Sequence, residues 1–168
     1  MNPVLLNGSI NQALILLPDR MDSAAARTML FAIAYQESAM QHRRQVGGPA
    51  RGYWQFEQGG GVRGVLNHPT SMVHIRGVLA ALNYGSGATS AECYIAIEHN
   101  DILAAAFARL LLWTDAEPLP TDADGGWDLY LRTWRPGKPH PDKWPGNFQK
   151  AQSAVALTTK PASAGFLL

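Results

Sequence analysis

Apolar residues along this chain recur at steps of three and four, the period of an α-helix packed on one side. Ile10, Ala13, Leu14 and Leu17 form a first stripe, with Ser9 as its cap and Pro18 as its stop. Ala26, Met29, Leu30 and Ile33 form a second, on a helix that starts at Asp22 or Ser23 and runs to Met40. Pro69 and Thr70 open a third, with Met72, Ile75, Leu79 and Leu82 at helical spacing. Ser90 caps a helix through Glu98, and Asn100 or Asp101 caps the next. That next segment carries Ile102, Leu103, Ala106, Phe107, Leu110 and Leu111, a face wide enough for a central helix. Trp127, Tyr130, Leu131 and Trp134 predict a short amphipathic helix, and residues 147–157 a last one.

The breaks between these stripes are equally legible. Gly47-Gly48-Pro49 marks a loop. Tyr53 to Phe56 is short, aromatic and bounded by glycines, which predicts one arm of a small β-hairpin. Gly59, Gly60 and Gly61 predict a loop, as do residues 83–87 and 114–126. Residues 135–146 hold four prolines and two glycines, so neither regular helix nor central strand is expected there. The reading is a mainly α fold with a small β-hairpin region, one domain over residues 1–157 and a C-terminal tail over residues 158–168.

One position departs from the helical pattern. The stripe that steps from Leu30 to Ile33 arrives next at Glu37. A carboxylate on a core-facing stripe is costly unless it is paired or protonated. Burial raises its pKa toward the range useful for giving and taking protons, which marks Glu37 as a candidate general acid/base.

Composition narrows the chemistry. The 168 residues suffice for one real core, and 46% hydrophobic against 16% charged residues argues against disorder. A net charge of +1 leaves no electrostatic footprint for nucleic acid or an anionic membrane. The single cysteine, Cys93, excludes an intrachain disulfide and reads as a packing residue. Five scattered histidines without metal-ligand spacing and glycine groups without a phosphate-cradling pattern leave no metal or cofactor expected. No apolar run approaches the ~20 residues that span a bilayer. The start of the chain reads as a poor signal peptide, so synthesis in a cytoplasm is expected.

Gln36-Glu37-Ser38 closes one helix, and Gly52-Tyr53-Trp54-Gln55 follows, with Gln55 eighteen positions after Glu37. This arrangement resembles the lytic transglycosylases and goose-type lysozymes of the lysozyme-like superfamily. Glu37-Ser38 matches their Glu-Ser pair at a helix end. Gly52 and Gln55 match their Gly-Leu-Met-Gln-like stretch, with Tyr53 and Trp54 in the apolar slots. The matching stretch covers residues 32–56.

The resemblance implies cleavage of the β-1,4 bond between N-acetylmuramic acid and N-acetylglucosamine in peptidoglycan. Glu37 would protonate the glycosidic oxygen and then deprotonate the nucleophile, either the sugar's own C6 hydroxyl or water. Gln55 would hydrogen-bond the sugar, Tyr53 would join it at the substrate, and Ser38 would orient Glu37 or cap its helix. Glu57, at the end of the aromatic segment, is a candidate second carboxylate or a solvated loop residue. The family's Ala-Tyr-Asn-Ala-Gly-like motif is absent, and Leu82-Asn83-Tyr84-Gly85 is its nearest approximation. The tyrosine expected to back the catalytic Glu is therefore unassigned, with Tyr84 and Tyr130 as candidates. The implied partners are peptidoglycan glycan strands and, for a phage-type lytic protein acting at the cell wall, other virion proteins. A non-catalytic virion structural or glycan-binding protein on the same fold, and a chitinase-like glycosidase, are the rival readings.

Three further groups have readings of their own. Trp127, Trp134, Trp144 and Phe148 either stack on sugars or pack the proline-rich loop onto the domain, and packing is the favoured expectation. Arg135, Lys138, His140 and Lys143 make that loop basic, suited to an acidic cell wall or simply solvated. Arg43, Arg44 and Arg51 are expected at the cleft rim or on the muramyl lactyl carboxylate.

Overall fold

The computed structural model describes residues 1–159, and the rest of the expected tail lies outside them. The described chain is mainly helical: α1 (Pro3–Ile15), α2 (Ala24–Ser38), α3 (Arg63–Asn67), α4 (Met72–Ala81), α5 (Ser90–His99), α6 (Asp101–Trp113), α7 (Ala123–Trp134) and α8 (Trp144–Thr159). Helix α6 is the core element. Every residue from Leu103 to Leu112 is buried, and a helix buried all round belongs at the centre of its domain. α1, α4 and α5 pack against it, while α2 packs mainly against α8.

Capping chemistry sets the starts. α1 begins well before Ser9, because the Asn2 side chain accepts from Val4 N and Pro3 supplies a preset φ at the first turn. Ser23 caps α2 through Ala26 N. The cap of α5 is Thr89, one residue earlier than expected, in a reciprocal box with Glu92. Asn100 caps α6 through Ile102 N and Leu103 N. Asp122 caps α7 five residues before its first tryptophan. α8 begins at Trp144 because Pro145 falls in its first turn, where a missing N–H costs nothing, and it continues through Thr159.

The expected β-hairpin is not formed, and no strand occurs among the described residues. Residues Arg51 and Phe56 make one isolated antiparallel bridge, with Arg51 N to Phe56 O at 2.9 Å and Phe56 N to Arg51 O at 2.7 Å. The chain between them is a tight turn in which Gln55 takes φ +50° and Gly52 φ +71°. Tyr53, Trp54 and Phe56 are all buried, so the segment cannot show the in-out alternation of a half-exposed strand. The triple-glycine stretch is also not a loop. Gln58–Val62 forms a π-helical turn, kinked at Gly60, that runs directly into α3.

Candidate functional site

α2 brings Glu37 to its last turn, then stops abruptly. Ala39 and Met40 take φ +49° and +55°, a left-handed pair that neither side chain favours. Ser38 anchors this stop: its hydroxyl donates to Tyr53 O at 2.7 Å and accepts from Met40 N at 3.2 Å. Ser38 thus ties the helix end to the turn carrying Gln55, and its hydroxyl is not on the Glu37 carboxyl. Trp54, fully buried, donates from Nε1 to Leu30 O at 2.8 Å and fastens the same turn to α2. Trp134 of α7 donates to Trp54 O at 2.9 Å. Two indole N–H groups therefore couple α7, the turn and α2 into one rigid wall.

Against that wall lies a cleft of about 1190 Å³, with Glu37, Gln55, Glu57, Tyr130 and Trp134 among its lining residues. Glu37 is partly buried there, and Tyr130 Oη donates to its Oε1 at 2.6 Å. Burial pushes the Glu37 pKa up from 4.5 to about 7; the Tyr130 hydrogen bond opposes this by favouring the anion, and the nearby Glu57 charge adds to it. Tyr130 itself is held above the usual phenol range, first by burial and then by the Glu37 charge. Its ring stacks on Trp144 with centroids 5.3 Å apart and planes 15° apart, and Trp127 lies 5.3 Å away. The aromatic cluster fixes the phenol, and the phenol fixes one oxygen of the carboxyl.

Of the residues singled out from the sequence, Glu37, Gln55, Glu57 and Tyr130 come together in the cleft. Gln55 turns its Nε2 to Gly52 O at 2.7 Å, which leaves its amide oxygen for a ligand. Tyr53 is buried away from the cleft lining, with the Arg43 guanidinium 4.7 Å above its ring. Tyr84 is also apart from it, and its hydroxyl accepts from Asn100 Nδ2 at 3.3 Å. The expectation for three arginines is corrected. Arg43 grips Asp101 at 2.7 Å, and Arg44 and Arg51 share Glu98 at 3.0 and 2.8 Å, because paired carboxylates at the α5–α6 junction match their forks. The cations that do line the cleft are Arg63, Arg132, Arg135 and Lys138, of which Arg132 is paired with Asp115 at 3.0 Å.

Trp144 and Phe148 are buried, as packing of the proline-rich loop requires, while Trp134 packs on Phe56 and also lines the cleft. Sequence reasoning missed Gln36, whose Nε2 donates to His140 O at 3.0 Å and whose Oε1 accepts from Asn147 Nδ2 at 2.8 Å. A glutamine next to Glu37 at a helix end was a visible signal; nothing in the pattern pointed to Arg63. Among the described residues no group of His, Cys, Asp or Glu converges to hold a metal ion, and no helix is long and apolar enough to cross a membrane. No protein family, curated protein or solved structure matches this chain.

Proposed function

We propose that this chain cleaves the β-1,4 bond between N-acetylmuramic acid and N-acetylglucosamine in peptidoglycan, with Glu37 as general acid and base. One observation carries the reading: a partly buried carboxyl at a cleft, with its pKa pushed up to about 7 and one oxygen held by Tyr130. A group that titrates near neutral pH is suited to both giving and taking a proton, a contribution of ~10²–10⁴-fold. The resemblance of Glu37-Ser38 and Gly52…Gln55 to the lytic transglycosylases and goose-type lysozymes supplies the substrate class.

Because Oε1 accepts from Tyr130, the acid proton of Glu37 sits on the other oxygen. That proton passes to the glycosidic oxygen as the C1–O bond breaks and its electron pair goes to the leaving sugar. The ionised Glu37 then keeps the Tyr130 bond, which is stronger to an anion. It next takes the proton of the C6 hydroxyl, giving a 1,6-anhydro product, or of water, giving a reducing end. Where water is the nucleophile, Glu57 in the same cleft is the alternative base to Glu37, the second role of a two-carboxylate site. Tyr130 supplies the hydroxyl that the missing Ala-Tyr-Asn-Ala-Gly-like motif left without a source. This favours the enzymatic reading over a non-catalytic virion structural or glycan-binding role.

The test is digestion of purified peptidoglycan by the native protein and by Glu37→Gln, with products weighed by mass spectrometry. Anhydro-muramyl products lost in the variant mean a lytic transglycosylase; reducing-end products lost in the variant mean a muramidase. Folded native protein that releases nothing overturns the reading in favour of the non-catalytic role.

A further inference from the structure

A second cavity, of about 620 Å³, also adjoins Glu37. Its lining shares only Gln36, Glu37 and His140 with the main cleft, so the two spaces meet at the proposed acid. His140 stands at their junction because the Gln36 amide holds its carbonyl at 3.0 Å, and Asn147 holds Gln36 in turn at 2.8 Å. The backbone at this point is therefore pinned down between the two spaces. Because the two linings overlap only there, a group that branches from a bound polymer beside the scissile bond is the part of it next to the second cavity.

The chemistry of the second cavity differs from that of the first. Lys143 ends the short 3-10 turn that leads into α8, Asn147 and Lys150 follow it at steps of four and three within α8, and all three line the cavity. Both lysines are exposed, and neither has a carboxylate partner among the described residues. Among the described residues Asp142 is the one acidic side chain in the lining besides Glu37, and His42 and His140 add two imidazoles. Gly146 lines the same cavity, and a Cβ there would meet nothing within 4 Å, which leaves the floor open.

We propose that this cavity receives the acidic peptide branch of the glycan, with Lys143 and Lys150 pairing with its carboxylates while the sugars lie in the main cleft. The inference rests on the glycan-cleaving reading and adds the part of the substrate that decides where along the strand the protein acts. Muramyl sugars carry a lactyl-linked peptide rich in carboxylates, and the muramyl C1–O bond is the one that Glu37 addresses. Two ammonium groups in the lining of one cavity are point-charge partners for such a branch, and their contribution must fall with ionic strength.

The experiment is titration calorimetry on full-chain Glu37→Gln, which binds without turnover. Its ligands are the N-acetylglucosaminyl-N-acetylmuramyl disaccharide with and without its peptide. The peptide-bearing ligand is expected to bind about tenfold more tightly at low salt. Lys143→Ala with Lys150→Ala should erase that preference and leave disaccharide affinity unchanged. Gly146→Phe, which fills the cavity without touching a charge, should erase it too. Equal affinity for the two ligands, or a preference that survives both variants, overturns the inference alone. Binding of neither ligand overturns it together with the glycan reading. A lysine-dependent preference in a native protein that cleaves nothing supports the inference and refutes the enzymatic reading.

Discussion

Replacing Glu37 by Gln should stabilise this protein at alkaline pH and leave it nearly unchanged in acid. The Glu37 pKa rises from 4.5 in an open chain to about 7 in the fold, with burial as the main cause. A carboxyl whose folded pKa lies above its unfolded value binds its proton more tightly when folded. Its favourable contribution is complete below pH ~4.5 and is lost as pH climbs through about 7. At about 1.36 kcal/mol per pH unit, that interval corresponds to a ceiling of ~3 kcal/mol. Gln cannot ionise, and its amide oxygen can still accept from Tyr130. The difference between variant and native protein should therefore grow from near zero at pH 4 to as much as ~3 kcal/mol at pH 8. For a chain of this size that means a Tm gain of roughly 6–12 °C at pH 8. Thermal unfolding at both pH values, followed by circular dichroism, isolates the term because all other groups titrate alike in the two proteins. A variant less stable than native at pH 8, or a Tm difference independent of pH, would refute the assignment of Glu37 as a carboxyl protonated by burial.

Tyr130→Phe removes the hydrogen bond that favours ionised Glu37 while keeping the ring in its stack; the Glu37 pKa should rise by about 1 unit, given ~1.5–3 kcal/mol for a bond to a charged group partly retained by the acid. The alkaline limb of the kcat/KM profile, or a carbon-13 carboxyl titration by NMR, should move up accordingly, and a limb that stays or moves down contradicts the role given to the phenol. Gly52→Ala should destabilise by ~2–4 kcal/mol, because φ is +71° and the new Cβ would lie 2.9 Å from Ile97 Cγ2. Urea unfolding reads this directly. Gln36→Ala breaks the bond to the His140 carbonyl and the bond from Asn147 that braces it, so hydrogen exchange at residues 137–143 should speed up by about fivefold, at ~1 kcal/mol for a net hydrogen bond.

The amino-acid pattern by itself determined the helical class, most helix positions and the anomaly at Glu37. Each is a local property: a 3.6-residue period sorts side chains onto one face, and a carboxylate on that face stands out without knowledge of any neighbour. Boundaries were less legible where a cap lay ahead of the first apolar residue, as at Asn2, Thr89 and Asp122. The hairpin expectation failed because Tyr53, Trp54 and Phe56 are all drawn into the core, and tertiary burial overrides the preference of so short a segment.

Only the tertiary structure decided which partners meet. Tyr130 reaches Glu37 across 93 positions, and Gln36 reaches His140 across 104. Tyr84 and Tyr130 were equal candidates as letters in a sequence. The way α7 lies in the fold, set by the Trp134–Trp54–Leu30 hydrogen bonds and the stack on Trp144, brings one phenol to the carboxyl. Likewise Arg43, Arg44 and Arg51 were claimed by Asp101 and Glu98, and the cleft received Arg63 and Lys138 instead. Periodicity tells a helix which face to bury, but the partner on that face follows from how all the helices pack at once.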